Sequence, residues 1–312
     1  MADRDGKIPT RVVALVGPTA SGKSALALAL AAHIPIEIVS CDSLMVYSRM
    51  DIGTGKPTAA EQRLVPHHLI DVVAPDQAFH AARWAELARN AIAGIVARGR
   101  TPVIVGGTGL YLRALLGGLF EAPPPDETIR RRHRDEAARD GSAALHARLA
   151  AIDPETASRV DPRDLIRISR ALEIFEQTGE PISVLHRRAA PAAELVCATV
   201  ILEPPLDRLR EAIGRRFDAM MAAGLVDETR RLRDTFGPEV RALQALGYRQ
   251  IGEFLAGALT LADAVAAAKA ATAAYARRQR TFFRKQPAAW RLGELPQVDA
   301  LVAWWQRQER AS

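Results

Sequence analysis

The sequence predicts an α/β protein: a parallel sheet with flanking helices and a separate helical insertion. Three observations predict it. Short apolar runs of strand length alternate with longer amphipathic stretches, as when strands buried on both faces are joined by crossover helices. A glycine-rich loop separates the first apolar run from the first helical pattern. Residues 123–195 change character to arginine-rich helical segments with no strand-like run.

Taken in order, residues 11–16 are largely apolar and read as the first strand. The loop Gly17-Pro18-Thr19-Ala20-Ser21-Gly22-Lys23-Ser24 follows, and an Ala/Leu-rich helix is expected over 25–32. Further buried strands are expected at 36–40, 68–73, 101–105 and 196–202, with a helical pattern at 81–98. The insertion opens at Ala122-Pro123-Pro124-Pro125 and ends where Val196 resumes the apolar pattern. Beyond that strand the chain reads as mostly helical, including an Ala-rich segment over 260–285 closed by Pro287. There is no internal repeat.

At 312 residues the chain suits one large or two unequal domains. Hydrophobic residues at 48% and charged residues at 25% exclude a disordered or collagenous chain. Two cysteines, Cys41 and Cys197, supply neither a disulfide framework nor a structural zinc site. The opening residues lack the order of a signal peptide, and no stretch approaches the ~20 apolar residues of a membrane span, so a soluble, cytoplasmic protein is expected. The net charge is +6, carried almost wholly by arginine, whose planar fork pairs with phosphate; polyanionic partners are favoured.

Gly17-x-x-x-x-Gly22-Lys23-Ser24 matches the phosphate-binding loop G-x(4)-G-K-[ST] in full, in its strand-loop-helix context. The glycines let successive backbone N–H groups face one anion, the helix amino end adds partial positive charge, Lys23 is a point cation and Ser24 is a candidate Mg²⁺ ligand. The sheet is therefore expected to be of the P-loop NTPase type, with a bound di- or triphosphate. The loop does not say which bond breaks: phosphoryl transfer would make a kinase or NTPase, C–O cleavage an alkyl transferase.

Ser40-Cys41-Asp42-Ser43 ends the second strand and runs on through Leu44, Met45 and Tyr47 into Met50-Asp51-Ile52-Gly53-Thr54-Gly55-Lys56-Pro57. A carboxylate at a strand's carboxyl end beside a phosphate loop suits proton abstraction or a metal-bound water, which makes Asp42 the candidate base. Gly106-Gly107-Thr108-Gly109-Leu110-Tyr111 follows another strand, with small residues for close backbone approach and a hydroxyl at Thr108. Arg215-Arg216-Phe217 and Gly247-Tyr248-Arg249-Gln250 read as helix-borne.

Together these segments closely resemble the bacterial-type tRNA dimethylallyltransferases, also called tRNA isopentenyltransferases. The resemblance spans nearly the whole chain: GPTASGKS, D-S-x-x-x-Y into MDIGTGKP, PHHLID at 66–71, GGTGLY, RALE at 170–173, RRFDAM at 215–220, LGYRQ and RRQRTFFRK. Two positions depart: Met45 stands where many members have glutamine, and Gly55 where alanine is usual. The cysteine count excludes the C-terminal zinc finger of many eukaryotic members.

The resemblance implies transfer of a dimethylallyl group from dimethylallyl diphosphate to N6 of the adenosine 3′ to the anticodon, with Asp42 as base. Lys23, the loop amides, Mg²⁺ and Arg216 would stabilise the departing diphosphate, and Thr108 would line the channel where base and prenyl chain meet. It further implies a monomer and contacts to a tRNA anticodon stem-loop whose target base is extruded. Those contacts are assigned to Asp42, Ser43, Leu44, Met45 and Thr108; to Arg130 and Ile166-Arg167-Ile168-Ser169-Arg170 in the insertion; to Ala245-Leu246-Gly247-Tyr248-Arg249-Gln250; and to Arg277-Arg278-Gln279-Arg280-Thr281-Phe282-Phe283-Arg284. Aromatic and arginine faces stack splayed bases while other cations meet phosphates. Two alternatives stand beside this reading: the related adenylate isopentenyltransferases, which use free AMP, ADP or ATP, and a P-loop kinase or RNA-binding NTPase. The arginine-rich insertion and tail weigh against a small acceptor.

Overall fold

The computed structural model describes residues 10–117, 120, 122–188, 195–294 and 298–310. The chain divides into two compact units, Met1–Leu116 with Glu194–Ser312, and Gly117–Ala193. The insertion was expected over 123–195; its junction at 189–194 and the first nine residues lie outside the described residues.

The first unit begins β1 (Thr10–Val16), α1 (Lys23–Ala31), β2 (Ile36–Cys41), α2 (Ala59–Leu64), β3 (His67–His68), α3 (Ala81–Ala97), β4 (Thr101–Gly106) and α4 (Gly109–Gly117). The second unit holds α5 (Glu127–Asp140), α6 (Ser142–Ile152), α7 (Pro154–Ala157), α8 (Leu165–Thr178) and α9 (Ile182–Arg188). The chain returns as β5 (Leu195–Leu202), α10 (Leu206–Ala222), α11 (Leu225–Phe236), a 3₁₀ turn (Arg241–Gln244), α12 (Tyr248–Leu255), α13 (Leu261–Arg284), β6 (Trp290–Leu292) and α14 (Val298–Arg310).

The six strands form one wholly parallel sheet in the order β3-β2-β4-β1-β5-β6. Residues two apart share a face, so Val13 and Leu15, Ile36 and Ile38, Val103 and Val105, and Val200 and Leu202 make one apolar layer. It packs with Leu26, Ala27 and Leu30 of α1 and with Leu301, Trp304 and Trp305 of α14. Helix α3 lies against β2 and β4, and its buried Trp84 donates its indole N–H to the Ser40 carbonyl (3.0 Å).

Two expectations are corrected. The apolar run at 68–73 is a strand only at His67–His68, because Leu69 and Asp71 take φ of 62° and 55°, which no strand tolerates. The amides of Asp71, Val72 and Val73 bond instead to the carbonyls of Met45 and Val46. The tail, read as mostly helical, also contributes β6, which extends the sheet beside β5. Three residues are too few to show a period; β6 is held by the Trp290–Trp304 ring contact at 5.9 Å and by pairing with Val200–Leu202.

A charge cluster joins β2 to its surroundings. The buried Glu37 carboxylate accepts from Arg98 Nε and Nη2 (3.1 and 2.7 Å) and lies 2.7 Å from His68 Nε2. The Arg98 hydrogen bonds, opposed by burial and aided by His68, hold its pKa below the usual 4.5. A depressed carboxyl stabilises the fold above its unfolded pKa, and that contribution is lost as pH falls through the folded value. Glu37→Gln should therefore cost about 1–3 kcal/mol at pH 7, because the half-exposed guanidinium keeps water as a partner while the buried bonds weaken. Urea unfolding should show the deficit constant from pH 7 down to about pH 4.5 and shrinking only below that.

The second unit has its own core of Leu145, Leu149, Ala157, Ile168, Ala171 and Leu172. Glu173, 0% exposed, accepts from the Asp126 amide (2.6 Å), Arg130 Nε (3.1 Å) and Arg170 Nη1 (2.7 Å). Buried His133 lies 2.9 Å from Ser169 Oγ.

Candidate active site

Register places the site. Val16 of β1 and Cys41 of β2 both pair with Gly106 of β4, so the loops after these strands leave the sheet at one level. The glycine-rich loop, Asp42 and Gly107-Thr108 thus emerge side by side at the strands' carboxyl ends, where open parallel sheets bind ligands. Gly106 is required there: a Cβ would lie 2.0 Å from the Cys41 carbonyl oxygen.

The loop curls through φ of 62° at Ala20 and 88° at Gly22. Helix α1 has no side-chain cap and no acidic residue in its first turn. Its first amides therefore keep their hydrogen-bonding capacity for an anion. Two loop amides are committed: Ser21 N–H to the Pro18 carbonyl (3.3 Å), and Thr19 N–H to Gln279 Oε1 of α13 (2.9 Å). Gln279 Nε2 also donates to the Gly107 carbonyl (2.8 Å), so one side chain ties the phosphate loop to the second glycine loop.

Lys23 Nζ donates to the Pro18 carbonyl at 3.0 Å. Burial lowers its pKa to about 8, against the opposing pull of Asp42; Arg216 lowers it further. Burial likewise lowers the Arg216 pKa, with Asp42 acting in the other direction. These three groups thus share one electrostatic neighbourhood. Asp42 Oδ1 accepts the Leu44 amide at 2.9 Å, leaving the second carboxylate oxygen outside that turn.

A cavity of about 410 Å³ opens from these groups. Thr19, Lys23, Ser24, Asp42 and Arg216 line it with charge and hydroxyls, and Leu28, Ile38, Val105, Ile213, Phe217 and Met220 supply apolar wall. Exposed Ser24 and half-buried Asp42 offer the hard oxygen donors that Mg²⁺ takes. Among the described residues no group of three or more His, Cys, Asp or Glu is placed to cage a metal.

The structure separates the residues expected to meet RNA. Met45, Ala245, Leu246, Arg278 and Gln279 line the cavity with Asp42, Ser43 and Leu44. Ile166 is 84% exposed, and Arg167, Arg249, Arg277, Thr281 and Arg284 are also exposed. Ile168, Ser169, Tyr248, Gln250 and Phe283 instead turn inward. A helix stretch cannot present every residue outward: Ile168 joins the core of the second unit, and the others are buried. Arg130 and Arg170 fork onto Glu173. Phe282 is half-buried over Gly109, where a Cβ would lie 2.1 Å from its ring, with the Arg113 guanidinium 5.2 Å from the ring centre. Arg280 is half-buried, its Nε without a partner. Gly247 is buried at the head of α12, its amide bonded to Gln250 Oε1 (3.0 Å).

Thr108 is also placed differently. It was expected on the channel wall but does not line the cavity; its Oγ1 accepts the Ser43 amide (3.0 Å) and so steadies the chain beside Asp42. Sequence reasoning did not find the apolar wall of α10 or the bridging role of Gln279, since both depend on contacts distant in the chain.

The family model for IPP transferase matches residues 45–286. The chain is 48% identical over 276 residues to the tRNA dimethylallyltransferase of Anaeromyxobacter dehalogenans, covering 88% of this chain and 92% of that one. Among solved structures, the full-length tRNA isopentenylpyrophosphate transferase of Bacillus halodurans superimposes with a TM-score of 0.69 at 35% identity, covering 97% and 96% of the two chains. A eukaryotic dimethylallyltransferase captured acting on tRNA gives 0.70 at 26% identity, over 88% and 70%. Among the described residues no helix is long and apolar enough to cross a membrane. With a matching family model over most of its length and relatives aligned nearly end to end, the chain belongs to the IPP transferase family.

Proposed function

We propose that this protein transfers a dimethylallyl group from dimethylallyl diphosphate to N6 of the adenosine 3′ to the anticodon in tRNA. The observation that carries this is one cavity joining an uncapped helix amino end and two cations, a carboxylate, and an apolar wall. A kinase site needs no such wall beside its phosphates. The exocyclic amine of adenine is a weak nucleophile because its lone pair is delocalised into the ring. Asp42 accepts its proton as the N6–carbon bond forms and the allylic carbon–oxygen bond breaks, a role that contributes about 10²–10⁴-fold. The electron pair of the broken bond leaves with the diphosphate, held by the loop amides, Lys23 and Arg216. Mg²⁺ held at Ser24 would neutralise part of the diphosphate charge when bound. Leu28, Ile38 and Phe217 cover the prenyl chain and exclude water from the reacting carbon.

The target base must leave its stack to enter the cavity, at a cost of roughly a few kcal/mol that contacts to the loop offset. Arg249, Arg277, Arg278 and Arg284 on the first unit and Ile166 and Arg167 on the second are the exposed groups available for this. The test is transfer of label from dimethylallyl diphosphate to an anticodon stem-loop with an A-rich loop. Label is expected on the adenosine 3′ to the anticodon. Transfer to AMP but not to RNA, or ATP turnover without prenyl transfer, would overturn the proposal.

A further inference from the structure

A buried carboxylate outside the cavity binds the loop on which Arg216 rests. Glu228 of α11 is 4% exposed. Its Oε2 accepts the amides of Asp51 and Ile52 (3.1 and 2.9 Å), and its Oε1 accepts the Gly53 amide (3.1 Å) and the Tyr248 hydroxyl (2.6 Å). Three successive backbone amides thus converge on one anion, an arrangement that loops use to bind phosphate; here a side chain of the same protein fills it. The loop is tightened further where Thr54 Oγ1 donates to the Met50 carbonyl at 2.7 Å. Tyr248 lies flat enough on Gly53 that a Cβ there would meet its ring at 2.5 Å.

The next two residues hold Arg216. The Thr54 carbonyl accepts from Arg216 Nη2 at 2.9 Å. Gly55 has φ of +62°, and a Cβ on it would lie 2.2 Å from that same nitrogen. The guanidinium is therefore seated against the backbone that directly follows the three amides bound by Glu228.

We propose that Glu228, with Tyr248, is a positioning residue that aims Arg216 at the departing diphosphate through the 51–55 loop. This rests on the reading of Arg216 as a leaving-group cation. A carboxylate is the right group because it accepts all four hydrogen bonds. An amide at the same place would turn N–H groups towards backbone N–H groups, so Glu228→Gln should loosen the loop without removing bulk.

The experiment is a double-mutant cycle on the full chain, with Glu228→Gln and Arg216→Gln alone and together. It is read as single-turnover transfer from dimethylallyl diphosphate to an anticodon stem-loop RNA, with inorganic pyrophosphate and RNA affinities measured alongside. Glu228→Gln is expected to slow transfer on the order of 10–100-fold and to weaken pyrophosphate binding with RNA affinity unchanged, as for a displaced charged group. In the Arg216→Gln background the same change should cost less than about threefold, because effects acting through one group do not multiply. Equal factors in both backgrounds, or no effect of Glu228→Gln in the native background, would overturn the inference. If Arg216→Gln alone leaves transfer untouched, the leaving-group reading of Arg216 fails instead. Should Glu228→Gln melt below the assay temperature, Tyr248→Phe carries the cycle, judged in the same way: it removes one donor and keeps the ring on Gly53.

Discussion

Asp42→Ala should slow transfer by about 10²–10⁴-fold while RNA affinity stays within a few-fold, the signature of a lost general base. The same residue has a structural task, since its Oδ1 caps the Leu44 amide at 2.9 Å. Asp42→Asn separates the two: its carbonyl oxygen can still take the Leu44 N–H, but its amide cannot accept a proton at neutral pH. Both variants should therefore lose comparable rate in single-turnover assays. An asparagine variant that works while the alanine variant fails would assign Asp42 to the turn and leave the reaction without its proposed base.

The second large effect concerns Lys23. Burial lowers its pKa to about 8, and its Nζ rests on the Pro18 carbonyl at 3.0 Å. An arriving diphosphate offsets the desolvation and restores the charged form, so binding takes up a proton above that pH. Pyrophosphate affinity should be full below pH 8 and fall about tenfold per pH unit above it, until the liganded lysine itself titrates. Calorimetry at pH 7 and pH 9 in buffers of different ionisation enthalpy measures both the affinity and the proton uptake. The free protein should show the reverse dependence: with a folded pKa below the unfolded 10.5, the unfolded chain binds more protons, and Lys23 makes stability rise with pH between the two values. Lys23→Met should remove both dependences and slow transfer by roughly 10²–10³-fold, comparable to losing one preorganised anion donor. Affinity that stays flat from pH 7 to pH 9 would place the lysine outside the anion site.

Much of this architecture was readable along the chain. The phosphate loop is local: a strand, two glycines and a helix amino end are contiguous, so their residue types suffice to predict them. Four of the five predicted strands appear because runs such as Val12–Val16 are apolar at nearly every position, as strands buried on both faces must be. The predicted strand at 68–73 shrank because positive φ at Leu69 and Asp71 is imposed by bonds to Met45 and Val46, which composition does not reveal. The resemblance assigns all of 166–170 to RNA contacts, yet a helix turns its residues in different directions, and Ile168 and Ser169 are buried.

By itself the sequence determined the strand-loop-helix with its glycine-rich turn, the carboxylate that follows β2 and the family to which these motifs point, since each depends on neighbours along the chain. Only the tertiary structure decided that Thr108 steadies the Asp42 loop, that Gln279 joins residues 260 positions away, and that Glu228 holds backbone 177 positions upstream. A hydrogen bond needs two groups within about 3 Å and nothing of their separation in sequence. Pairs brought together by the packing of α10 to α13 around the sheet's carboxyl edge therefore leave no local pattern to read.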